Sequence, residues 1–296
     1  MEESKSFLQI YNELDQIGQA IRSGELKVEK INLFLDLRID LEKMLSNLET
    51  ISNEFYTKEK AEGLDVLWSE LHSPLSYFLE SSTNSFLAPA YHLNNYLEHL
   101  NEYNVRSLNK ENLEDVDTLI VKFNIEIQSI FSSIKGLLDR LVAIMSFFYS
   151  GFSLETTFGR IDPVTGKTSG LMGTVFKMKE QCPVLKYIND EYHLWIRDIV
   201  VPRDIIIHYN DLGFRPHYTA DGRMIPFHIE KKVFEQVDYI ESFPIEYNYK
   251  DIVRSVTNTY LFVQQVLNGL IKKDFRLSKK HFIHESSYKQ YRGIQD

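Results

Sequence analysis

An arginine, a carboxylate and an imidazole stand within six positions in the stretch VPRDIIIHYND (201–211), set among isoleucines and just after Pro202. Histidine is the side chain that carries a proton near neutral pH. Arginine offers a planar fork of donors that fits a phosphate. Asp204 and His208 lie four apart, so on a helix they face each other, and the carboxylate can fix the imidazole tautomer and favour its charged form. These residue types suit phosphodiester chemistry without a metal or other cofactor. His208 would act as general base or acid in such a step. Arg203 would stabilise the charge developing on the phosphate, and Asp204 would orient His208. Arg203 and His208 are five apart, about 140° and about 7.5 Å on a helix. They therefore converge only across a cleft, most readily one shared with a second subunit. The plainer reading is that both edge a helix, with Asp204 near an N-terminus whose dipole favours an anion.

An Arg followed at similar spacing by a His recurs at Arg223–His228 and Arg276–His281. The first pair encloses Pro226 in a hairpin-like stretch, and the second falls in a charged tail, so neither shares a helix as Arg203 and His208 can. Arg197, Arg215, Lys231, Lys232 and the tail from Lys272 to Arg292 could guide an RNA backbone. Tyr209, His217 and Tyr218 could contact bases. Other candidate motifs fail on spacing. TGKTSG (165–170) lacks the earlier glycine that a phosphate-binding loop separates from its Gly-Lys by four residues, since six residues lie between Gly159 and Gly166; DPVTGK reads as a turn. His281 and His284 have no second ligand cluster. His92 and His99 share a helix face, but no Asp or Glu completes a metal pattern. Cys182 sits beside a proline with no nucleophile signature and reads as structural.

Helical periodicity dominates the segments that must hold these residues. Apolar positions recur every three to four residues through SFLQIYNELDQIGQAI and KINLFLDLRIDLEKMLSNLETI, and again through KAEGLDVLWSELHSPLSYFL, which Pro74 should kink or break. Pro89 fits the first turn of a short helix ending near Leu100, and NEYNVRSLNKEN (101–112) is the best domain boundary. A long helix is predicted from about Leu113 to Tyr149, its apolar face formed by Ile120, Phe123, Ile127, Ile130, Ile134, Leu137 (or Leu138), Leu141, Ile144 and Phe148. The Gly/Ser/Thr-rich stretch that follows calls for a folded excursion. Pro183 opens another helix carrying Leu185, Ile188, Tyr192, Trp195 and Ile199, and Pro202 interrupts or restarts it. RPHYTADGRMIPFHI alternates around Asp221-Gly222, a hairpin turn signature. The last helix runs from about Tyr249 to Lys273. The expected fold is mostly all-α: a multi-helix bundle with one or two small β-hairpin insertions. It divides into an N-terminal helical region (1–105) and a helical domain (106–296) with insertions at 150–182 and 214–247 and a basic tail.

The chain has 296 residues and a single cysteine. It can bury a sizeable core without staples, and no intramolecular disulfide can form. The polar, acidic start and the absence of a long apolar run point to a cytoplasmic protein with no membrane anchor. The net charge of −9 argues against a general nucleic-acid coat. The charge is uneven, however. Residues 1–120 carry 10 Lys/Arg against 22 Asp/Glu, while 121–296 carry 23 against 20. Contact with a polyanion should therefore fall to the C-terminal half.

RDIIIHY, preceded by a long apolar helix and by a second one carrying YHLWIRDIVVP, resembles the HEPN superfamily. That family's pattern is an Arg, a polar residue, a short apolar stretch and a His, and Arg203, Asp204 and His208 match it position by position. The resemblance spans about 113–273. It implies a helical bundle, usually a homodimer, with both motifs facing a shared cleft. Many family members are metal-independent endoribonucleases of toxin–antitoxin, phage-defence or RNA-processing systems, which implies RNA and an antitoxin or neighbouring regulatory protein as partners. Others are inactive and serve as dimeric binding or scaffold modules. The acidic N-terminal half favours that second reading, as would exposure of Trp68 or Trp195. A helical protein whose match arises by chance is the third.

Overall fold

The computed structural model describes residues 41–51, 53, 54, 57, 68–108, 113–149, 157–162, 165–200, 214–218, 224–229, 249–272, 286 and 289. Its elements are α1 (41–51), α2 (Trp68–Leu108), α3 (Leu113–Met145), α4 (Leu171–Met178), α5 (Pro183–Glu191), β1 (Phe214–Tyr218), β2 (Met224–Ile229) and α6 (Tyr249–Ile271). The fold is a multi-helix, mostly all-α architecture.

The apolar stripes of the helices meet in one core. On α3, Phe123, Ile127, Ile130, Ile134, Leu137, Leu138, Leu141 and Ile144 are all buried, followed by Phe148 in the turn that ends the helix. They recur at the spacing of one helix face, so burying them against neighbours stabilises the helix far more than intrinsic propensity does. α2 packs along α3. At their contact the rings of Tyr96, His99 and Tyr103 meet Phe123 edge-on, with centroids 5.9, 6.5 and 6.2 Å away. α6 packs on α2, α3 and α5 and contributes Ile252, Val256, Tyr260, Val263, Val266, Leu267 and Leu270. Phe262 is its hub: it stacks on Tyr187 at 5.7 Å and meets Phe158 and Trp195 edge-on at 6.1 Å each. Near the end of α6, a Cβ on Gly269 would lie 2.6 Å from Val184 Cγ2, so glycine lets α6 approach the first turn of α5.

α2 corrects part of the sequence expectation: Pro74 does not break it and Pro89 does not open a new helix, for one helix runs past both and on through residues 101–108. An interior proline removes one hydrogen bond and crowds the preceding turn. At Pro89 a side chain from another helix compensates. The buried Tyr260 hydroxyl accepts from Ala90 N–H at 3.2 Å and donates to Phe86 C=O at 2.7 Å, bridging the two groups that an undisturbed helix would join directly. Burial raises the Tyr260 phenol well above its ordinary pKa, so it stays protonated and keeps its donor.

Between α3 and α4, residues 157–162 and 165–170 fold back on each other. Ser169 N–H donates to Arg160 C=O, Asp162 N–H to Lys167 C=O and Gly166 N–H to Asp162 C=O, while Asp162 Oδ1 accepts from Thr165 N–H. The described ends of DPVTGK, Asp162 and residues 165–167, are thus drawn together as a turn requires. Gly159 and Gly170 have φ of 72° and 58°, and a Cβ on Gly159 would lie 1.9 Å from Ser169 O. Only glycine fits there. Two side chains hold the excursion to the bundle. Asp139 of α3, paired with Lys135, accepts from Phe158 N–H at 2.7 Å, and the Tyr192 hydroxyl accepts from Ile161 N–H at 2.8 Å.

β1 and β2 pair antiparallel, and β2 lies against α2 and α6. Arg215 faces His228 and His217 faces Ile225, so Pro216 alone opposes Pro226 and Phe227. Such a bulge is where strands tolerate proline, which has no N–H for the ladder.

Candidate functional site

The described chain reaches the edge of the Arg203 stretch through α5. Pro183 occupies the first turn, where its missing N–H costs nothing. Leu185, Ile188, Tyr192, Trp195 and Ile199 are buried on one side, as their spacing predicts. Residues 192–196 form a π turn that the spacing does not reveal: Arg197 N–H reaches the Tyr192 carbonyl, five residues back. The turn leaves Leu194 70% exposed while Tyr192 and Trp195 stay inside. Trp195 Nε1 donates to Glu191. A tryptophan so buried is not an exposed anchor for a partner, so the interface role weighed for Trp195 is not met; the Trp68 side chain lies outside the described residues.

After the π turn, helix continues over 197–200, with Ile199 and Val200 buried and Arg197 and Asp198 partly exposed. Arg197 Nε lies 3.5 Å from Asp198 Oδ1. Burial raises the Asp198 carboxyl above its ordinary pKa, and the neighbouring Arg197 charge partly opposes the rise. Arg197, a candidate RNA contact in the sequence, therefore has a carboxylate partner that the sequence reading did not name. Its identity as the next residue was the available signal.

Arg203, Asp204, His208 and Tyr209 lie outside the described residues, as do Lys231 and Lys232. Arg215, His217 and Tyr218 are on β1, where the structure gives their backbone pairing. At the start of the basic tail, Lys272 is exposed, and Lys289 is described farther along.

Elsewhere the structure adds a cluster. His92 Nδ1 lies 2.7 Å from Glu126 Oε2, and Asn95 Nδ2 donates to Glu126 Oε1 at 3.1 Å. Glu126 is on α3, 34 residues from His92, so no local pattern could bring it in. His99 instead packs on Phe123. Among the described residues no three His, Cys, Asp or Glu side chains gather to hold a metal ion, and no helix is long and apolar enough to cross a membrane. Cys182 is buried, with Tyr149 Oη 3.5 Å from its Sγ, and burial raises the Tyr149 phenol above its ordinary pKa.

No family model, no curated protein and no solved structure matches the chain.

Proposed function

We propose that the protein is a metal-independent endoribonuclease of HEPN type, acting as a homodimer within a toxin–antitoxin or phage-defence system. The observation that carries this reading is the Arg203-Asp204-x-x-x-His208 spacing. The helix of 183–200, amphipathic and anchored in the core, supports it by leading directly into that stretch. In this reading His208 moves the proton of the attacking 2′-hydroxyl or the leaving oxygen. Arg203 stabilises the charge that grows on the phosphate, Asp204 orients His208, and a cyclic phosphate product results. Tyr209, Arg215, His217, Lys231 and Lys232 contact the RNA around them. A catalytically silent HEPN-like dimeric module is the second reading, favoured by the acidic first 120 residues, which oppose broad RNA affinity.

The test is cleavage of single-stranded RNA by the purified protein in EDTA, beside folded Arg203→Ala and His208→Ala variants. The reading expects cleavage by the wild type and a loss of at least about a hundredfold in either variant. Cleavage unchanged by both substitutions overturns it. An absence of cleavage, with retained self-association, favours the silent module.

A further inference from the structure

We propose that Asp198 is a positioning residue that holds the Arg197 guanidinium as a two-pronged site for a phosphodiester of single-stranded RNA. The inference rests on the reading of the adjoining 203–209 stretch as an RNA site. It comes from three features of the described helix. First, Asp198 contacts Arg197 through Nε, and among the described residues Arg197 has no other ion-pair or hydrogen-bond partner for its side chain. The two terminal nitrogens are therefore left for an oxyanion, which a guanidinium binds bidentately. Second, the pair is partly sheltered, with side chains 36% and 30% exposed. A sheltered charge is screened less by salt than one in open solvent. Third, Arg197 N–H closes the π turn while the neighbouring Trp195 and Ile196 are buried, so the backbone that carries the guanidinium is fixed to the core. A lysine here would supply charge without the fork.

A carboxylate beside an arginine can act in two opposite ways. As an orienter it strengthens anion binding by fixing the donors. As a competitor it weakens binding by occupying the charge. The 3.5 Å contact is made at Nε rather than at a terminal nitrogen, which favours the orienter.

The test uses fluorescence anisotropy of a labelled single-stranded RNA oligomer with the full chain. The His208→Ala background keeps the RNA intact, and thermal unfolding verifies each variant. Arg197→Ala should weaken binding about tenfold and lower the salt slope by about 0.7. Arg197→Lys should restore the slope but only part of the affinity. Asp198→Asn should weaken binding about two- to fivefold, with the slope unchanged. Tighter binding by Asp198→Asn, or wild-type affinity for Arg197→Ala, overturns the proposal, as does a failure of the parent protein to bind RNA. Cleavage is read separately in the His208-containing protein. Cleavage with no Arg197 effect sinks the inference alone, whereas binding with the expected variant pattern but no cleavage sinks the nuclease reading alone.

Discussion

At the scale of single residues, Asp198 links stability to pH. Burial raises its carboxyl above the ordinary 3.8, so the folded protein holds this proton more tightly than the unfolded chain does. Stability from this group is present below that ordinary value and is lost as pH rises through the raised folded value. Asparagine has no such proton. Urea unfolding of wild type and Asp198→Asn across the mildly acidic range should show the variant gaining relative stability as pH rises through that window. A constant difference would mean that the carboxyl titrates alike in both states. The same measurement guards the RNA-binding test, because a variant that is stable at neutral pH yet binds RNA less well has not lost affinity by unfolding.

At the scale of elements, residues 157–162 and 165–170 of the excursion show how a stretch rich in glycine and small polar residues becomes a fixed structure. Its backbone bonds close on themselves, and Asp139 and Tyr192 attach it to α3 and to the π turn that follows α5. Gly159→Ala would combine a positive φ with a Cβ driven into the Ser169 carbonyl. We expect a loss of at least ~1–3 kcal/mol in denaturant unfolding, whereas Gly166→Ala, with open space at its Cβ, should cost only its φ strain. Equal losses at the two positions would show that the close approach is not what demands glycine. α5 carries the complementary lesson. Its apolar spacing reads correctly through Ile199, yet the π turn at 192–196 leaves that spacing nearly intact and so hides in the sequence.

At the scale of the whole molecule, the core is assembled from stripes far apart in sequence, and Tyr260 marks the join. It lies 170 residues from Ala90 and joins Ala90 N–H to Phe86 C=O beside Pro89. Tyr260→Phe keeps the ring but leaves a buried N–H and C=O without the hydroxyl. It should cost about 1–3 kcal/mol in denaturant unfolding, with faster amide exchange at Ala90 than at Leu93. A variant as stable as wild type would show that α2 closes the gap unaided. The sequence by itself determined which face of α3 and of the helix from Pro183 to Ile199 goes inside, because helical periodicity is a local property and burial follows it. It also placed Pro183 at the start of a helix and the turn at DPVTGK, where single residue types dictate the backbone. Only the tertiary structure decided that α2 passes through two prolines, that Glu126 closes on His92, and that Asp139 and Tyr192 grip the excursion. Each of these depends on a hydrogen-bonding group delivered from another part of the chain, and no local pattern encodes which distant side chain will arrive.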